Sequence, residues 1–139
     1  MKNALWNSKE VAEVTGGENT VDWTASGVSI DTRTLKKGDI FVALTQNRDG
    51  HDFVAEGFRQ GAAAAIVSYI PNNAPHGKPL LIVKDVRLAL RALASFGRRR
   101  FKGKVIGITG SVGKTSSKEM LATVLSCFGK VTASEKSFN

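Results

Sequence analysis

A glycine-rich turn followed by lysine and threonine is the part of this sequence whose chemistry is easiest to identify. An apolar stretch at residues 105–109 leads into GSVG at residues 110–113, and Lys114 and Thr115 follow. Glycines allow backbone N–H groups to curve around a phosphate without obstruction by a Cβ atom. A helix that begins there adds unpaired N–H donors and the positive end of its dipole. The turn therefore predicts a nucleotide-phosphate site, in which Lys114 reaches the β- and γ-phosphates and Thr115 ligates Mg²⁺.

The motif matches the short pattern GxxGK[ST], which begins at Gly110. The longer pattern GxxxxGK[ST] does not match, because Ile108 occupies the position of its first glycine. The alternative interpretation is a tight glycine turn with a solvent-exposed lysine. The apolar strand predicted before the turn and the helix predicted after it favour the nucleotide site.

Two polar stretches in the first part of the chain are further candidates. Residues 29–33 read SIDTR, and residues 49–51 read DGH. The guanidinium of Arg33 can pair with phosphate oxygens through two parallel hydrogen bonds. An ion pair between Asp31 and Arg33 at a strand end is the alternative. His51 could form a catalytic pair with Asp49, but we favour a turn in which His51 makes substrate-side or structural hydrogen bonds.

Strands alternate with helices along the chain, which predicts an α/β fold with largely parallel pairing. The predicted strands cover residues 27–31, 40–44, 63–68, 80–83, 105–109 and 130–132, and the predicted helices cover residues 8–14, 52–60, 86–101 and 114–128. We expect one domain at residues 1–85 and an incomplete second domain at residues 86–139, with the boundary between residues 85 and 101. One strand–turn–helix–strand unit is too little for an independent sheet.

The composition excludes several classes of protein. The chain has 139 residues, of which 42% are hydrophobic and 23% charged, as in ordinary globular domains. Its one cysteine, Cys127, excludes a disulfide-stabilised secreted scaffold and, with only two histidines, argues against a closed zinc site. No apolar run approaches the roughly 20 residues that a membrane span needs, and the first eight residues lack the apolar core of a signal peptide. We therefore expect a cytoplasmic protein.

The formal net charge of +8 lies entirely in the last part of the chain. Residues 1–85 hold nine basic and ten acidic residues, whereas residues 86–139 hold eleven and two. This asymmetry suggests an anionic partner such as phosphates, nucleic acid or an acidic surface. Five of the seven residues at 98–104 are basic. Because no aromatic-rich stacking surface accompanies them, we favour a solvated helix end over nucleic-acid binding.

Several blocks of the sequence resemble the bacterial Mur ligases. The stretch at residues 106–115 (IGITGSVGKT), continued by KEML at 118–121, resembles their ATP loop. Residues 29–33, 38–44 (GDIFVAL), 49–53 (DGHDF) and 61–64 (GAAA) resemble further blocks of the same family in the same order. The sequence departs from the family at Val112, where many members have Asn, and at residues 45–48, where many have a glycine.

The resemblance implies a small N-terminal α/β substrate domain, followed by the first strand–P-loop–helix unit of a central ATP-binding domain. It implies an ATP-dependent amide ligase of peptidoglycan precursor synthesis, in which a carboxylate is phosphorylated and an amine then displaces phosphate. The continuation Lys118-Glu119-Met120 favours a member that joins UDP-N-acetylmuramoyl-tripeptide to D-alanyl-D-alanine. The alternatives are the sister ligase that adds the third peptide residue and a stand-alone P-loop nucleotide- or nucleic-acid-binding module.

The resemblance also implies the residues of two sites. The ATP site would comprise Gly110, Ser111, Val112, Gly113, Lys114, Thr115 and Ser116, with Lys114 catalytic and Thr115 as the Mg²⁺ ligand. The site for the UDP-linked substrate would comprise Ser29, Asp31, Thr32, Arg33, Asp49, Gly50 and His51. We expect a monomer without nucleic-acid or membrane partners, and we expect the 139 residues alone not to form amide bonds.

Overall fold

The computed structural model describes residues 4–134. These residues form two compact units, one that ends at Phe101 and one that begins at Lys102. Within the described range, no helix is long and apolar enough to cross a lipid bilayer.

The strands of the first unit are β1 (Trp6–Asn7), β2 (Glu18–Asn19), β3 (Thr24–Ala25), β4 (Gly27–Ser29), β5 (Asp39–Val42), β6 (Ala64–Val67) and β7 (Leu80–Ile82). Five of them form a sheet with the order β2-β7-β6-β5-β4. Strands β4 to β7 run parallel to one another, and β2 is antiparallel to β7. Strands β1 and β3 form a separate antiparallel pair. The predicted parallel α/β arrangement is confirmed for this unit.

Among the described residues, three α-helices accompany these strands in the first unit and a fourth lies in the second unit. Polar caps fix where the first and third helices begin. The four helices are α1 (Ser8–Thr15), α2 (Val54–Arg59), α3 (Val86–Arg100) and α4 (Lys114–Ser126), and a 3₁₀ turn at Gly50–Phe53 leads into α2. The Asn7 side chain accepts a hydrogen bond from the Glu10 N–H at the start of α1, and Asp85 does the same for Leu88 in α3. Such caps satisfy N–H groups that have no partner within the helix.

Helices cover both faces of the sheet, as parallel strands require. All residues of β5 and β6 are buried. On one face, Ile40 and Ile66 pack in a core with Val11 of α1 and Leu93 of α3. On the other face, a second buried cluster includes Phe41, Ala65 and Val67 of the sheet together with Val54 and Phe58 of α2. The unit is therefore a three-layer sandwich of helices, sheet and helix, and its loops emerge at the two ends of the strands.

Helix α3 is an integral part of the first unit. Its side chains Val86, Ala89 and Leu93 are buried in the core that α1 shares. The compact unit thus runs past the predicted boundary at residue 85 and ends at the far limit of the interval in which we placed that boundary.

The second unit contains α4 but not the strands predicted at residues 105–109 and 130–132, so this expectation was wrong. Both segments lack regular structure, and Val105 and Ile106 are more than half exposed. A strand needs neighbouring strands to pair its backbone groups and layers to cover its side chains. The described residues of this unit provide neither, and none of the residues of α4 is buried.

We predict that Ile66→Ala lowers the free energy of unfolding by about 2–5 kcal/mol, because it leaves a cavity at the centre of β6. Ile30→Ala is the matched control, since Ile30 is 46% exposed and should cost about 0.5 kcal/mol or less. Denaturant unfolding followed by circular dichroism measures both. Equal losses for the two variants would contradict the packing described for the sheet.

Candidate substrate and nucleotide sites

The predicted substrate residues gather at the carboxyl edge of the sheet. Residues 29–33 include the end of β4 and the turn after it, and residues 43–51 follow β5. Because β4 and β5 are parallel neighbours, both segments emerge at the same edge. In open α/β sheets, ligands bind beyond the carboxyl ends of the strands. The fold therefore brings both stretches to one end of the sheet, where they can form a single site.

The turn after β4 holds Arg33 against Asp31. The Arg33 Nη2 atom lies 2.6 Å from Asp31 Oδ2, and Nε lies 3.0 Å from Oδ1. Asp31 Oδ1 also accepts the Arg33 backbone N–H at 2.9 Å, and the Ser29 hydroxyl bonds the backbone of Asp31. The hydrogen bond and the charge of Asp31 raise the pKa of Arg33. The side chain of Arg33 is 86% exposed, so its guanidinium faces solvent while Nε and Nη2 bond Asp31.

Asp49 is the centre of the hydrogen-bond network in the loop after β5. Its Oδ1 accepts bonds from the Thr45 hydroxyl at 3.0 Å, the His51 backbone N–H at 3.0 Å and His51 Nδ1 at 2.6 Å. Its Oδ2 accepts the Tyr69 hydroxyl at 2.7 Å. The bond from Tyr69, followed by those from His51 and Thr45, holds the pKa of Asp49 well below its usual range. The same bond raises the pKa of Tyr69.

Both ring nitrogens of His51 are engaged, which defines its tautomer. Nε2 lies 2.9 Å from the backbone N–H of Ser68 and accepts that bond. The proton of the neutral ring therefore lies on Nδ1, which donates to Asp49. His51 is only 2% exposed. In this arrangement the ring joins two segments of the chain and offers no free nitrogen for general-base catalysis.

Gly50 is required by the close approach of two backbone segments. A Cβ atom at this position would lie 2.5 Å from the carbonyl carbon of Ala43 and 2.5 Å from the carbonyl oxygen of Leu44. These backbone atoms cannot move away from a Cβ atom, whereas the end of a flexible side chain could. The DGH stretch is therefore a packed turn in which Gly50 permits the approach, and Asp49 and His51 make the hydrogen bonds.

Sequence reasoning missed Tyr69, Ser68 and Thr45, which complete this network. Tyr69 stacks on His51 with the ring centroids 4.1 Å apart and the planes 10° from parallel. A signal was available, because Ser68 and Tyr69 directly follow the buried strand β6 and so had to emerge at the carboxyl edge. A surface cavity of about 430 Å³ adjoins Tyr69 there and is lined by Asp52, Tyr69, Ile70, Pro71, Asn72 and Asn73.

The predicted nucleotide residues form an exposed loop and the first turn of α4 in the second unit. Gly113 has a φ of 75°, and a Cβ atom there would meet nothing within 4 Å. The N-cap of α4 is Gly113, which has no side chain that could bond the first N–H groups of the helix. The Lys114 ammonium lies 2.5 Å from the carbonyl oxygen of Gly110. These features fit a phosphate group, which would meet open backbone donors and a cation at the end of the turn.

For Mg²⁺, this region offers the hydroxyl of Thr115, which lies in the exposed first turn of α4. Among residues 4–134, no group of three or more His, Cys, Asp or Glu side chains is arranged to hold a metal ion. A Mg²⁺ ion bound by phosphates and one hydroxyl keeps several waters, so Thr115 fits the role of a single protein ligand.

Curated proteins similar to this chain include several ligases that share one name. The chain is 39% identical over 135 residues to the UDP-N-acetylmuramoyl-tripeptide–D-alanyl-D-alanine ligase of Rickettsia prowazekii, and this match covers 97% of the chain. It is 42% identical over 122 residues to the ligase of that name from Escherichia coli, with 86% of the chain covered. The chain spans only 30% and 26% of these two proteins. No protein-family model matches the chain.

Solved structures give the same result. A UDP-N-acetylmuramoylalanyl-D-glutamyl-2,6-diaminopimelate–D-alanyl-D-alanyl ligase from Acinetobacter baumannii matches 88% of the chain with a TM-score of 0.68 and 33% identity. The MurF ligase of Thermotoga maritima, solved in complex with ADP, matches 72% with a TM-score of 0.55 and 34% identity. The chain covers 28% and 23% of these structures. By sequence and by fold, this chain is therefore similar to the N-terminal part of the Mur ligases.

Proposed function

We propose that this chain forms the N-terminal part of an ATP-dependent ligase that joins UDP-N-acetylmuramoyl-tripeptide to D-alanyl-D-alanine. One observation carries the proposal. The similarity to ligases of that name extends over 97% of the chain and so includes both polar stretches of the first unit and the glycine-rich turn of the second. The first unit would bind the UDP-linked substrate, and the second would contribute to the ATP site.

The carboxyl edge of the first unit supports a role in holding a diphosphate-linked substrate. Asp31 fixes the position of Arg33 through Nε and Nη2, and a guanidinium has five N–H donors, so donors remain for a second anion. A bidentate Arg–phosphate pair gives both energy and geometric specificity. We assign Ser29 and Thr32 to the same turn, where they shape the backbone around Arg33. We assign Asp49, Gly50 and His51 to the neighbouring loop, which would form another wall of the site.

The loop of the second unit supports a role in holding the phosphates of ATP. ATP, when bound, supplies the phosphoryl group that activates a carboxylate toward an amine. The backbone N–H groups of residues 110–116 would hold the phosphate oxygens, and the Lys114 ammonium would neutralise charge on the transferring group. The Lys114 ammonium would exchange its present contact with the Gly110 carbonyl for the phosphate oxygens. The Thr115 hydroxyl would ligate Mg²⁺.

We predict that Arg33→Ala weakens the binding of UDP-N-acetylmuramoyl-tripeptide to the 139-residue chain roughly tenfold or more, as expected for loss of a charge-assisted hydrogen bond to phosphate. Isothermal titration calorimetry measures the effect. Arg59→Ala is the matched control, because Arg59 also forms an exposed ion pair, with Glu56 at 2.6 Å. It lies in α2, away from the carboxyl-edge loops. Equal affinities of the two variants would count against the assigned site.

We predict that Lys114→Ala weakens the binding of Mg²⁺–ATP roughly tenfold or more, because the variant loses the cation at the end of the phosphate-binding turn. A fluorescent ATP analogue or a titration followed by NMR measures the change. Lys104→Ala, an exposed lysine of the same unit, should bind as the wild-type chain does. If both substitutions reduced affinity equally, the effect would reflect only the net charge of this unit.

A further inference from the structure

Tyr69 joins the loop after β5 to the end of β6 through two different contacts. Its hydroxyl donates to Asp49 Oδ2 at 2.7 Å, and its ring stacks on the buried ring of His51. Tyr69 is itself 49% exposed and lies at the carboxyl edge of the sheet. Tyr69 therefore holds the loop after β5 in place although it belongs to a different segment of the chain.

The two oxygens of Asp49 have different partners. Oδ1 receives its bonds from Thr45 and His51, which belong to the same loop and the turn that follows it. Oδ2 receives its bond from Tyr69, twenty positions further along the chain. The bonds to Oδ1 shape the loop internally, whereas the bond to Oδ2 fixes the loop relative to the sheet. The Ser68 N–H bond to His51 Nε2 is a second link between the same two segments.

The residues between Thr45 and Asp49 need such links, because their side chains have little to pack against. Residues 45–48 are all exposed, so no burial of apolar side chains holds them in place. A loop of this kind is ordered by hydrogen bonds at its ends. If the loop is already ordered before binding, the ligand does not have to order it, and the smaller entropy cost favours affinity.

We propose that Tyr69 is a positioning residue for the UDP-linked substrate: it holds the loop at residues 45–51 against β6 in the conformation that binds this ligand. The inference rests on the proposed function of the first unit. Tyr69 acts through Asp49 and His51, and no contact of its own with the ligand is required. The hydroxyl is the decisive group, because it donates the bond to Oδ2 of Asp49.

Tyr69→Phe tests this role, because the variant keeps the ring that stacks on His51 and loses only the hydroxyl. Ser26→Ala is the matched control. It also removes one hydroxyl from the first unit, but Ser26 lies just before β4, at the opposite edge of the sheet, and bonds the Gly38 carbonyl. We expect Tyr69→Phe to speed amide hydrogen exchange at residues 45–51 and to weaken binding of UDP-N-acetylmuramoyl-tripeptide roughly three- to tenfold. Ser26→Ala should change neither.

Two further readouts separate positioning from loss of folding. Affinities are measured by calorimetry at a temperature at which thermal unfolding shows each variant fully folded. The NMR signal of the His51 Nδ1 proton should persist in Tyr69→Phe, because the bond from His51 to Asp49 does not need the hydroxyl. Binding of Tyr69→Phe with wild-type affinity would overturn the inference and leave the proposed function intact. Absence of binding by the wild-type chain would overturn both.

Discussion

A β-strand is stable only where neighbouring strands pair its backbone groups and packed layers cover its side chains, and both units of this chain follow from that constraint. In the first unit, β5 and β6 have strand neighbours on each side, with helices over both faces, and every one of their residues is buried. In the second unit, the apolar residues 105–109 have no such neighbours in the described part of the chain and form no strand. A similar apolar sequence thus has different structures in the two contexts.

The same constraint determines where the candidate site of the first unit lies. Parallel strands bring their carboxyl ends to one edge, so turns that are far apart in the sequence become neighbours there. At that edge Asp49 collects donors from its own loop and from the end of β6, and those bonds keep its carboxylate ionised by holding its pKa down. Asp31 similarly fixes Arg33 while its guanidinium remains exposed. Arg33 and His51 are thus each held by a carboxylate two positions earlier in the chain.

Local sequence signals predicted the elements well where periodicity or caps were strong. Helix α3 was predicted at residues 86–101 and is observed at Val86–Arg100, with Asp85 as its cap. Strands β1, β2 and β3 were missed, since two residues are too few to show alternation. The motif residues of both candidate sites were proposed from the sequence, and their role in binding stays a prediction. The role of Tyr69 could not be proposed from the sequence, because its contact with Asp49 spans twenty positions and depends on which strands are neighbours.

The central claim is that the carboxyl edge of the first unit receives the UDP-linked substrate. Mapping amide chemical-shift changes in the isotope-labelled 139-residue chain during titration with UDP-N-acetylmuramoyl-tripeptide tests this claim most directly. The account predicts that the largest saturable changes fall on residues 29–33 and 45–51. Saturable changes confined to the surface near Asn7 and Thr24, or the absence of any saturable change, would contradict it.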